Sequence, residues 1–296
     1  MKVWLLETRP QFLLLSVVLA FLGTTMAWYD GSFRLFYALL AFIGLLLAHI
    51  SVNVLNDYFD YRSGIDLEVQ RTPFSGGSGI LPAARMTPRQ VFWLGIGAFV
   101  LIIPIGVYFV IEIERGWQLL PLLLAAALFI LAYTPLILRT KSPEWAAGLG
   151  MGTLPVLGTY FVQMASYTVP ALIASIPSGL LVYNLLLLNE FPDTEADKKA
   201  GRQTLPITAG RKKASWVYSG VTVAIYLWII ASVVFGQMPV FSLIALATLP
   251  LAIRAILGAL KPDDMSKLVP AMANNVLVVL VTQLLLGIGY ILAKVI

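Results

Sequence analysis

LFYALLAFIGLLLAHISVNVLNDYFDYRSGID, residues 35–66, joins a long apolar run directly to a series of acidic side chains. A helix crosses the hydrocarbon core of a bilayer with about 20 apolar residues, whereas a barrel strand needs only about 10. The apolar part, which we place at residues 33–56, has the length of a helix. Hydrocarbon offers no hydrogen-bond partners, so a helix must pair its own backbone groups there. The stretch therefore predicts a transmembrane helix with acidic chemistry at its end.

The same apolar pattern recurs through the chain. Of the 296 residues, 59% are hydrophobic and only 12% are charged, against roughly 25% charged in soluble proteins. We therefore expect one all-α, polytopic integral membrane domain, residues 1–296, whose first span is retained and not cleaved as a signal peptide. No cysteine is present, which excludes disulfides and thiolate chemistry. Apolar windows predict nine transmembrane helices, near residues 11–29, 33–56, 89–111, 117–134, 144–164, 170–191, 214–235, 238–259 and 268–293.

The loops between the predicted spans alternate in charge. Nearly all of the 20 Lys and Arg residues lie in the N-terminus or in loops that follow even-numbered spans; the exceptions are Arg34, Arg115 and Lys294. The positive-inside rule then predicts a cytoplasmic N-terminus, cytoplasmic acidic loops and an external C-terminus in the cell membrane. The net charge of +5 is explained by topology and contact with anionic lipid, and we expect no nucleic-acid partner. Three cytoplasmic loops, near residues 57–88, 134–143 and 192–213, are expected to cap a central cavity.

The first polar motif lies at the end of the second predicted span. If that helix continues to about Tyr61, its polar residues have the spacing i, i+3, i+4 and i+7 and share one face. Gly64 can turn the chain so that Asp66 approaches the same face. An ordinary solvated helix end is the alternative, but acids at a helix C-terminus oppose the helix dipole and call for a cation. The helical set is Asn53, Asn56, Asp57 and Asp60.

The second motif, NEFPDTEADKKAGRQT, follows the sixth predicted span at residues 189–204. Asn189, Asp193 and Asp197 are spaced at i, i+4 and i+8. The alternative is a charged loop whose acids are neutralised locally by Lys198, Lys199 and Arg202. Pro192 predicts that the helix breaks or restarts just before Asp193.

Two carboxylate motifs on one side of a membrane are typical of a site that binds a diphosphate with Mg²⁺. This ion takes octahedral oxygen ligands and is commonly held by one or two carboxylates together with phosphate oxygens. Basic side chains should complete the site, although each also serves as a topology determinant. Tyr133 and His49 are further polar candidates, with an interfacial tyrosine and a packed histidine as the alternatives. The basic candidates are Arg71, Arg139, Lys141, Lys198, Lys199 and Arg202.

Other functional classes have less support. P-loop, GxGxxG, HExxH and GxSxG motifs do not occur, and the chain has one histidine. An ion-coupled secondary transporter also carries acids within its membrane domain, but there they lie near the midplane in broken helices. A noncatalytic lipid-binding or assembly subunit would not need a metal. The pattern favours an enzyme.

At these residues the sequence resembles the UbiA superfamily of intramembrane prenyltransferases. NDYFD followed by RSGID is similar to the first motif of that superfamily, and DTEADKKAGRQT is similar to the second, DxxxDxxxG[KR]xT. The resemblance covers most of the chain and is densest over residues 53–79 and 148–210. It implies nine transmembrane helices and transfer of a polyprenyl group from a polyprenyl diphosphate to an aromatic acceptor, with Mg²⁺ as cofactor. An obligate protein partner is not implied.

The resemblance also implies roles for individual residues. The metal-binding and catalytic carboxylates would be Asp57, Asp60, Asp66, Asp193 and Asp197, with Asn53 and Asn56 as polar partners, and Arg202 stands where Lys is frequent. The other expected substrate-binding residues rest on their positions in the sequence and not on the resemblance: Asn189, His49, Tyr133 and the remaining basic candidates. Many members have the third acid of this motif at the position that Gly64 occupies here. In this chain the third acid lies two residues later, at Asp66. This spacing resembles the MenA branch, whose acceptor is 1,4-dihydroxy-2-naphthoate in menaquinone synthesis and loses its carboxylate. Other UbiA-type acceptors, 4-hydroxybenzoate or a glycerol phosphate lipid, remain the alternatives.

Overall fold

The computed structural model describes residues 2–69 and 71–296, and within these ranges every regular element is helical. The helices are α1 Lys2–Glu7, α2 Pro10–Tyr29, α3 Leu35–Ser63, α4 Ile65–Glu68, α5 Pro88–Glu112, α6 Leu120–Ala132, α7 Glu144–Gly148, α8 Leu154–Met164, α9 Val169–Lys199, α10 Leu205–Thr208, α11 Arg211–Val234, α12 Leu249–Ala259 and α13 Met265–Val295. A π segment, Leu149–Thr153, joins α7 to α8, and 3-10 turns precede α6 and α12. The prediction of an all-α fold is confirmed.

Seven helical segments of the described chain are long and apolar enough to cross a membrane, by length and composition. Two of the nine predicted spans do not meet that criterion. The fourth corresponds to a shorter apolar helix, Gly116–Ala132, and the fifth is divided by the π segment between α7 and α8. The number nine is therefore not confirmed and stays a prediction.

The outer surface of the helix bundle is apolar. Leu101, Val107 and Ile111 of α5 and Val223 and Leu227 of α11 are all at least half exposed. Contiguous apolar surface of this kind is rare on soluble proteins and is expected where helices face lipid. The surface agrees with the membrane character that the composition predicts.

The interior of the bundle holds the polar chemistry. α3 packs on α5, α2 packs on α8 and α13, and α9 packs on α7, α11 and α13. α3 and α9 are the two helices that carry the acidic motifs, and both extend beyond the predicted starts of the capping loops, to Ser63 and Lys199. The loops are consequently shorter than predicted, and helix geometry fixes most of the acidic side chains.

Candidate active site

The two acidic motifs meet at one cavity between α3 and α9. Carboxylates from both motifs line it, together with the guanidinium group of Arg202. Including its open end, the cavity has a volume of about 1330 Å³. We call the set of Asp60, Asp66, Asp193, Asp197 and Arg202 the acidic mouth.

The first motif reaches the mouth because α3 remains helical through Ser63, which confirms the predicted helical spacing. Gly64 ends α3 with a left-handed backbone (φ 85°), and its N–H donates to the carbonyl of Tyr61 at 3.1 Å. This conformation favours glycine because it has no Cβ. The turn brings Asp66 back towards the cavity, where it is buried.

The second motif reaches the mouth on an unbroken helix. α9 continues through Pro192 to Lys199, so the predicted break before Asp193 is wrong. A proline costs a backbone hydrogen bond, but neighbouring helices can hold a buried helix in place across it. α9 has such neighbours in α7, α11 and α13. Asp193 and Asp197 therefore lie one turn apart on the same face.

Arg202 joins the two motifs. Its Nη1 donates to Oδ1 of Asp197 at 2.7 Å, and its Nη2 donates to Oδ1 of Asp60. All three side chains are largely buried. Although burial alone would lower the pKa of Arg202, the carboxylates of Asp60 and Asp197 raise it above its ordinary value. The guanidinium is a permanent positive charge at the centre of the mouth.

Asp57 points away from the cavity towards a loop. Its Oδ2 accepts a hydrogen bond from the backbone N–H of Ser78 at 2.8 Å, and its Oδ1 lies 3.6 Å from Nη1 of Arg9. Ser78 also donates through its hydroxyl to Glu7 at 2.8 Å. Asp57 thus anchors the loop at residues 72–79 and the N-terminal segment, and its predicted role as a metal ligand stays a prediction.

The same loop covers Asp66. Gly77 adopts φ +72°, and a Cβ atom added to it would lie 3.0 Å from Oδ1 of Asp66. Burial, followed by the charges of Asp57 and Asp60, raises the pKa of Asp66 to about 8. A cation bound beside Asp66 would favour the ionised form of this carboxyl group.

Polar side chains continue inward from the mouth. Asn56 donates to the hydroxyl of Thr134 at 3.1 Å, and Asn53 contacts the carbonyl of Thr8 at 3.4 Å. His49 is hydrogen bonded to Ser16 through Nδ1. The buried polar atoms of the lining that have no hydrogen-bond partner among the described residues include Nε2 of His49, the Tyr133 hydroxyl and Oδ1 of Asn189. The structure brings all of these predicted residues into the cavity wall.

The other predicted basic residues lie elsewhere. Arg71, Arg139, Lys141 and Lys198 are exposed at the surface and are not among the residues described as lining the cavity. Lys199 pairs with Glu68 at 2.5 Å on the surface. Their proposed phosphate contacts stay predictions.

Two lining residues were missed by the sequence interpretation, Arg9 and Glu190. Arg9 was counted only as a topology determinant, and its position depends on the long-range contact with Asp57. Glu190 precedes Asp193 by three residues and Asp197 by seven, so helical spacing would have found it had the helix been taken as continuous.

A second cavity adjoins the first. Including its open end, it has a volume of about 970 Å³, and it is lined almost entirely by apolar side chains, mainly from α3, α5, α6 and α8. The two cavities share part of their lining, so their walls meet deep inside the bundle. The shared residues are His49, Val52, Tyr133, Ala147 and Met151. A chain with a charged head and an apolar tail would fit this arrangement.

The donor atoms of the mouth fit Mg²⁺. They are carboxylate oxygens, which hard divalent cations prefer, and Oδ2 of Asp66 and Oδ1 of Asp193 are buried with no hydrogen-bond partner in the part of the chain that the structure describes. Across residues 2–69 and 71–296, no three acidic, histidine or cysteine side chains are arranged to hold a metal by themselves. Mg²⁺ commonly completes its octahedron with water and substrate phosphate oxygens, so one or two carboxylates suffice.

Comparison with known proteins gives a consistent result. The sequence profile of the UbiA prenyltransferase family matches residues 16–285. The chain is 27% identical to the 1,4-dihydroxy-2-naphthoate octaprenyltransferase of Bacillus subtilis (strain 168), over 97% of this chain and 91% of that protein. It is 24% identical to the digeranylgeranylglyceryl phosphate synthase of Pyrococcus horikoshii, over 85% of this chain and 82% of that protein.

Among solved structures, a UbiA homolog from Archaeoglobus fulgidus bound to GPP and Mg²⁺ is similar to this chain with a TM-score of 0.66. The comparison covers 99% of this chain and 100% of the other, at 14% sequence identity. At that identity the likeness establishes the fold alone.

Proposed function

Since this chain belongs to the UbiA prenyltransferase family, we propose that it transfers a polyprenyl group from a polyprenyl diphosphate to an aromatic acceptor. The observation that carries the proposal is the junction of the two cavities. The cavity whose mouth is lined by carboxylates and Arg202 shares part of its wall, including His49 and Tyr133, with an apolar cavity of about 970 Å³. A diphosphate head would lie at the mouth, and its isoprenoid tail would extend into the apolar cavity.

Mg²⁺ held by the mouth carboxylates and the diphosphate would neutralise the charge that develops as the allylic carbon–oxygen bond breaks. The residues we propose for it are Asp60, Asp66, Asp193 and Asp197, with Asp57 in a supporting position. Arg202 and Arg9 would offer N–H donors to the phosphate oxygens. The apolar wall would exclude water from the allylic cation, so that the acceptor and not water captures it.

For the acceptor we propose 1,4-dihydroxy-2-naphthoate, which would lose its carboxylate in the reaction, as in menaquinone synthesis. The similarity to the Bacillus subtilis enzyme, which spans 97% of this chain, supports that choice. A glycerol phosphate lipid is the second candidate, because the Pyrococcus horikoshii synthase is also similar. 4-Hydroxybenzoate is the third acceptor to be tested.

The direct test is a transfer assay with purified protein. Radiolabelled geranylgeranyl diphosphate is incubated with each acceptor, with and without Mg²⁺, and labelled lipid products are separated. We expect Mg²⁺-dependent product with the dihydroxynaphthoate. Absence of transfer to every acceptor, or transfer that is equal in the presence of a chelator, would overturn the proposal.

Substitution of the mouth carboxylates is the second test. Asp60→Ala and Asp193→Ala should each reduce turnover by at least 100-fold, because each removes a carboxylate from the site proposed for the metal. Asp263→Ala is the matched control, since this aspartate is exposed and pairs only with Arg211 at 3.3 Å. Near-normal turnover in a folded Asp60 or Asp193 variant would refute its assignment.

A further inference from the structure

Glu190 is a buried carboxyl group that the diphosphate site does not use. Its side chain lines the cavity and the residue is only 6% exposed. Neither of its carboxyl oxygens accepts a hydrogen bond from an N–H or hydroxyl group of the described residues. A buried carboxyl group without such a donor is costly, so it is expected to meet a ligand that donates a hydrogen bond.

The surroundings of Glu190 are acidic and hydroxylated. The carboxyl group of Glu144 lies beside it, fully buried, and accepts the backbone N–H of Leu205 through Oε1. The Tyr133 hydroxyl, also unpartnered among the residues described, faces the same group. A proton placed on Glu190 can be donated to the adjacent Glu144 carboxyl group as a hydrogen bond. Such a pair can take up a proton and return it.

Glu190 lies deeper in the cavity than Asp193 and Asp197. On α9 it is seven residues inward from Asp197 and three from Asp193, distances of about 10 Å and about 4.5 Å along the helix at roughly 1.5 Å per residue. Inward from it on that cavity wall are Asn189 and then Leu186, Leu185 and Val182. Glu190 is therefore at the boundary between the polar and apolar sections, where the reacting end of the isoprenoid would emerge from the mouth.

The charge around Glu190 selects the kind of group that can bind there. Arg202, the nearby cation, is already paired with Asp60 and Asp197. The carboxylate of the proposed dihydroxynaphthoate would be repelled by the carboxyl pair, so a hydroxyl group, which can donate to the pair, is the part of the acceptor that binds there. The titratable groups near Glu190 are Glu144, Tyr133 and Arg202 from other elements, and Tyr183 and Asp197 from α9 itself.

We propose that Glu190 is a catalytic residue that accepts the hydrogen bond of the acceptor's hydroxyl group and removes its proton, with Glu144 as its partner. The inference rests on the proposed function and names the part of the site that recognises the acceptor. Glu190 binds the reacting molecule, while the mouth binds the donor.

A phenolic acceptor gives its hydroxyl proton to a carboxyl oxygen of Glu190, and the oxygen electron pair moves into the ring. A ring carbon forms the new bond to the allylic carbon, whose bond to oxygen breaks with its electron pair leaving on the diphosphate. Loss of CO₂ from a ring carboxylate, or of a ring proton to the released diphosphate, restores the aromatic ring, and Glu190 returns its proton to the oxygen.

The experiment compares two enzymes, each assayed with two acceptors. Wild type and Glu190→Gln are assayed for prenyl transfer to the best phenolic acceptor and to its O-methyl ether, which cannot donate a hydrogen bond. Glu195→Gln is the matched control, because it is an exposed glutamate on the same helix. Binding of geranylgeranyl diphosphate with Mg²⁺ is measured separately by calorimetry, and thermal unfolding checks each fold.

We expect Glu190→Gln to lose about 10²–10⁴-fold in kcat/KM for the phenol, the range of general acid–base catalysis, with unchanged donor binding. The kcat/KM of wild type should be at least 100-fold higher for the phenol than for the ether, and that of the variant less than 10-fold higher. Glu190→Asp, which keeps a carboxyl group, should recover part of the rate and of the preference.

Three results would overturn the inference. The first is wild-type kcat/KM in Glu190→Gln. The second is a preference for the phenol that is as large in the variant as in wild type, which is expected of a structural carboxyl pair. The third is a tenfold weaker Mg²⁺-dependent donor binding, which would make Glu190 part of the diphosphate site. If wild type itself transfers to no acceptor, the proposed function fails together with the inference.

Discussion

At the scale of single residues, Arg202 is the group that joins the two acidic motifs. It contacts Asp60 from α3 and Asp197 from α9, and the three side chains are mostly removed from solvent. Removing one member of a buried ion pair leaves an uncompensated charge, at a cost of about 3–5 kcal/mol. A pair on the surface contributes far less, because water and salt screen it. Burial therefore decides which basic residue of this segment matters for stability.

We predict that Arg202→Gln lowers the melting temperature and makes it strongly dependent on Mg²⁺, because the ion would then supply the missing positive charge. Lys199→Gln removes the nearby exposed pair with Glu68 and should change the melting temperature little. Thermal unfolding in detergent, with Mg²⁺ or with chelator, measures both effects. An Arg202 variant as stable as wild type in chelator would contradict this role.

The sequence alone predicted much of the site at this scale. Asp60, Asp66, Asp193 and Asp197 were found because local helical spacing and one glycine determine where they lie. Arg9 was not found, because its place in the wall depends on a contact with Asp57, 48 positions away in the printed sequence. The choice of Arg202 over Lys198 depends on the path of a loop, which local pattern does not determine.

At the scale of elements, the crossing of α7 and the π segment with α9 sets the position of Glu144 beside Glu190. The backbones touch there: a Cβ on Gly152 would lie 2.5 Å from the carbonyl oxygen of Ser178, and one on Gly148 would lie 2.7 Å from that of Gly179. Small residues allow helices within membranes to approach this closely. The sequence analysis predicted a helix here but not its π segment, because that distortion follows from packing.

We predict that Gly152→Ala separates these two helices, lowers stability by roughly 1–3 kcal/mol and slows transfer more than it weakens donor binding. Gly97→Ala is the control, because Gly97 lies within α5 and a Cβ there would meet nothing within 4 Å. Unfolding and steady-state kinetics of both variants provide the comparison. Equal behaviour of the two would show that the close approach is unimportant.

At the scale of the whole molecule, the contacts between loops bear on the number of spans. The N–H of Ser142 donates to the carbonyl of Gln203 at 2.9 Å, and the N–H of Gln203 contacts the carbonyl of Leu138 at 3.3 Å. The loop near residues 134–143 thus lies beside the end of α9. If α9 crosses the membrane, that contact requires the fourth and fifth apolar segments to cross it as well, which favours nine spans.

The absence of native cysteine allows a direct test of this topology. Single cysteines at Lys141, Lys212 and Glu114, all exposed, are labelled in intact cells and in inverted vesicles with a membrane-impermeant maleimide. With nine spans and a cytoplasmic N-terminus, positions 141 and 212 react only in inverted vesicles, and position 114 reacts in intact cells. Reaction of position 141 in intact cells, as expected for position 114, would exclude nine spans.

The guanidinium of Arg202 also bears on how the protein is made in the cell. Because the mouth contains its own positive charge, Asp60 and Asp197 are paired before any ion arrives. Biosynthesis and magnesium loading are then separate events. A cell starved of magnesium should accumulate the normal amount of this protein in its membrane, while the amount of prenylated lipid product falls. Quantitative immunoblotting measures the first amount, and lipid analysis of the same cells measures the second.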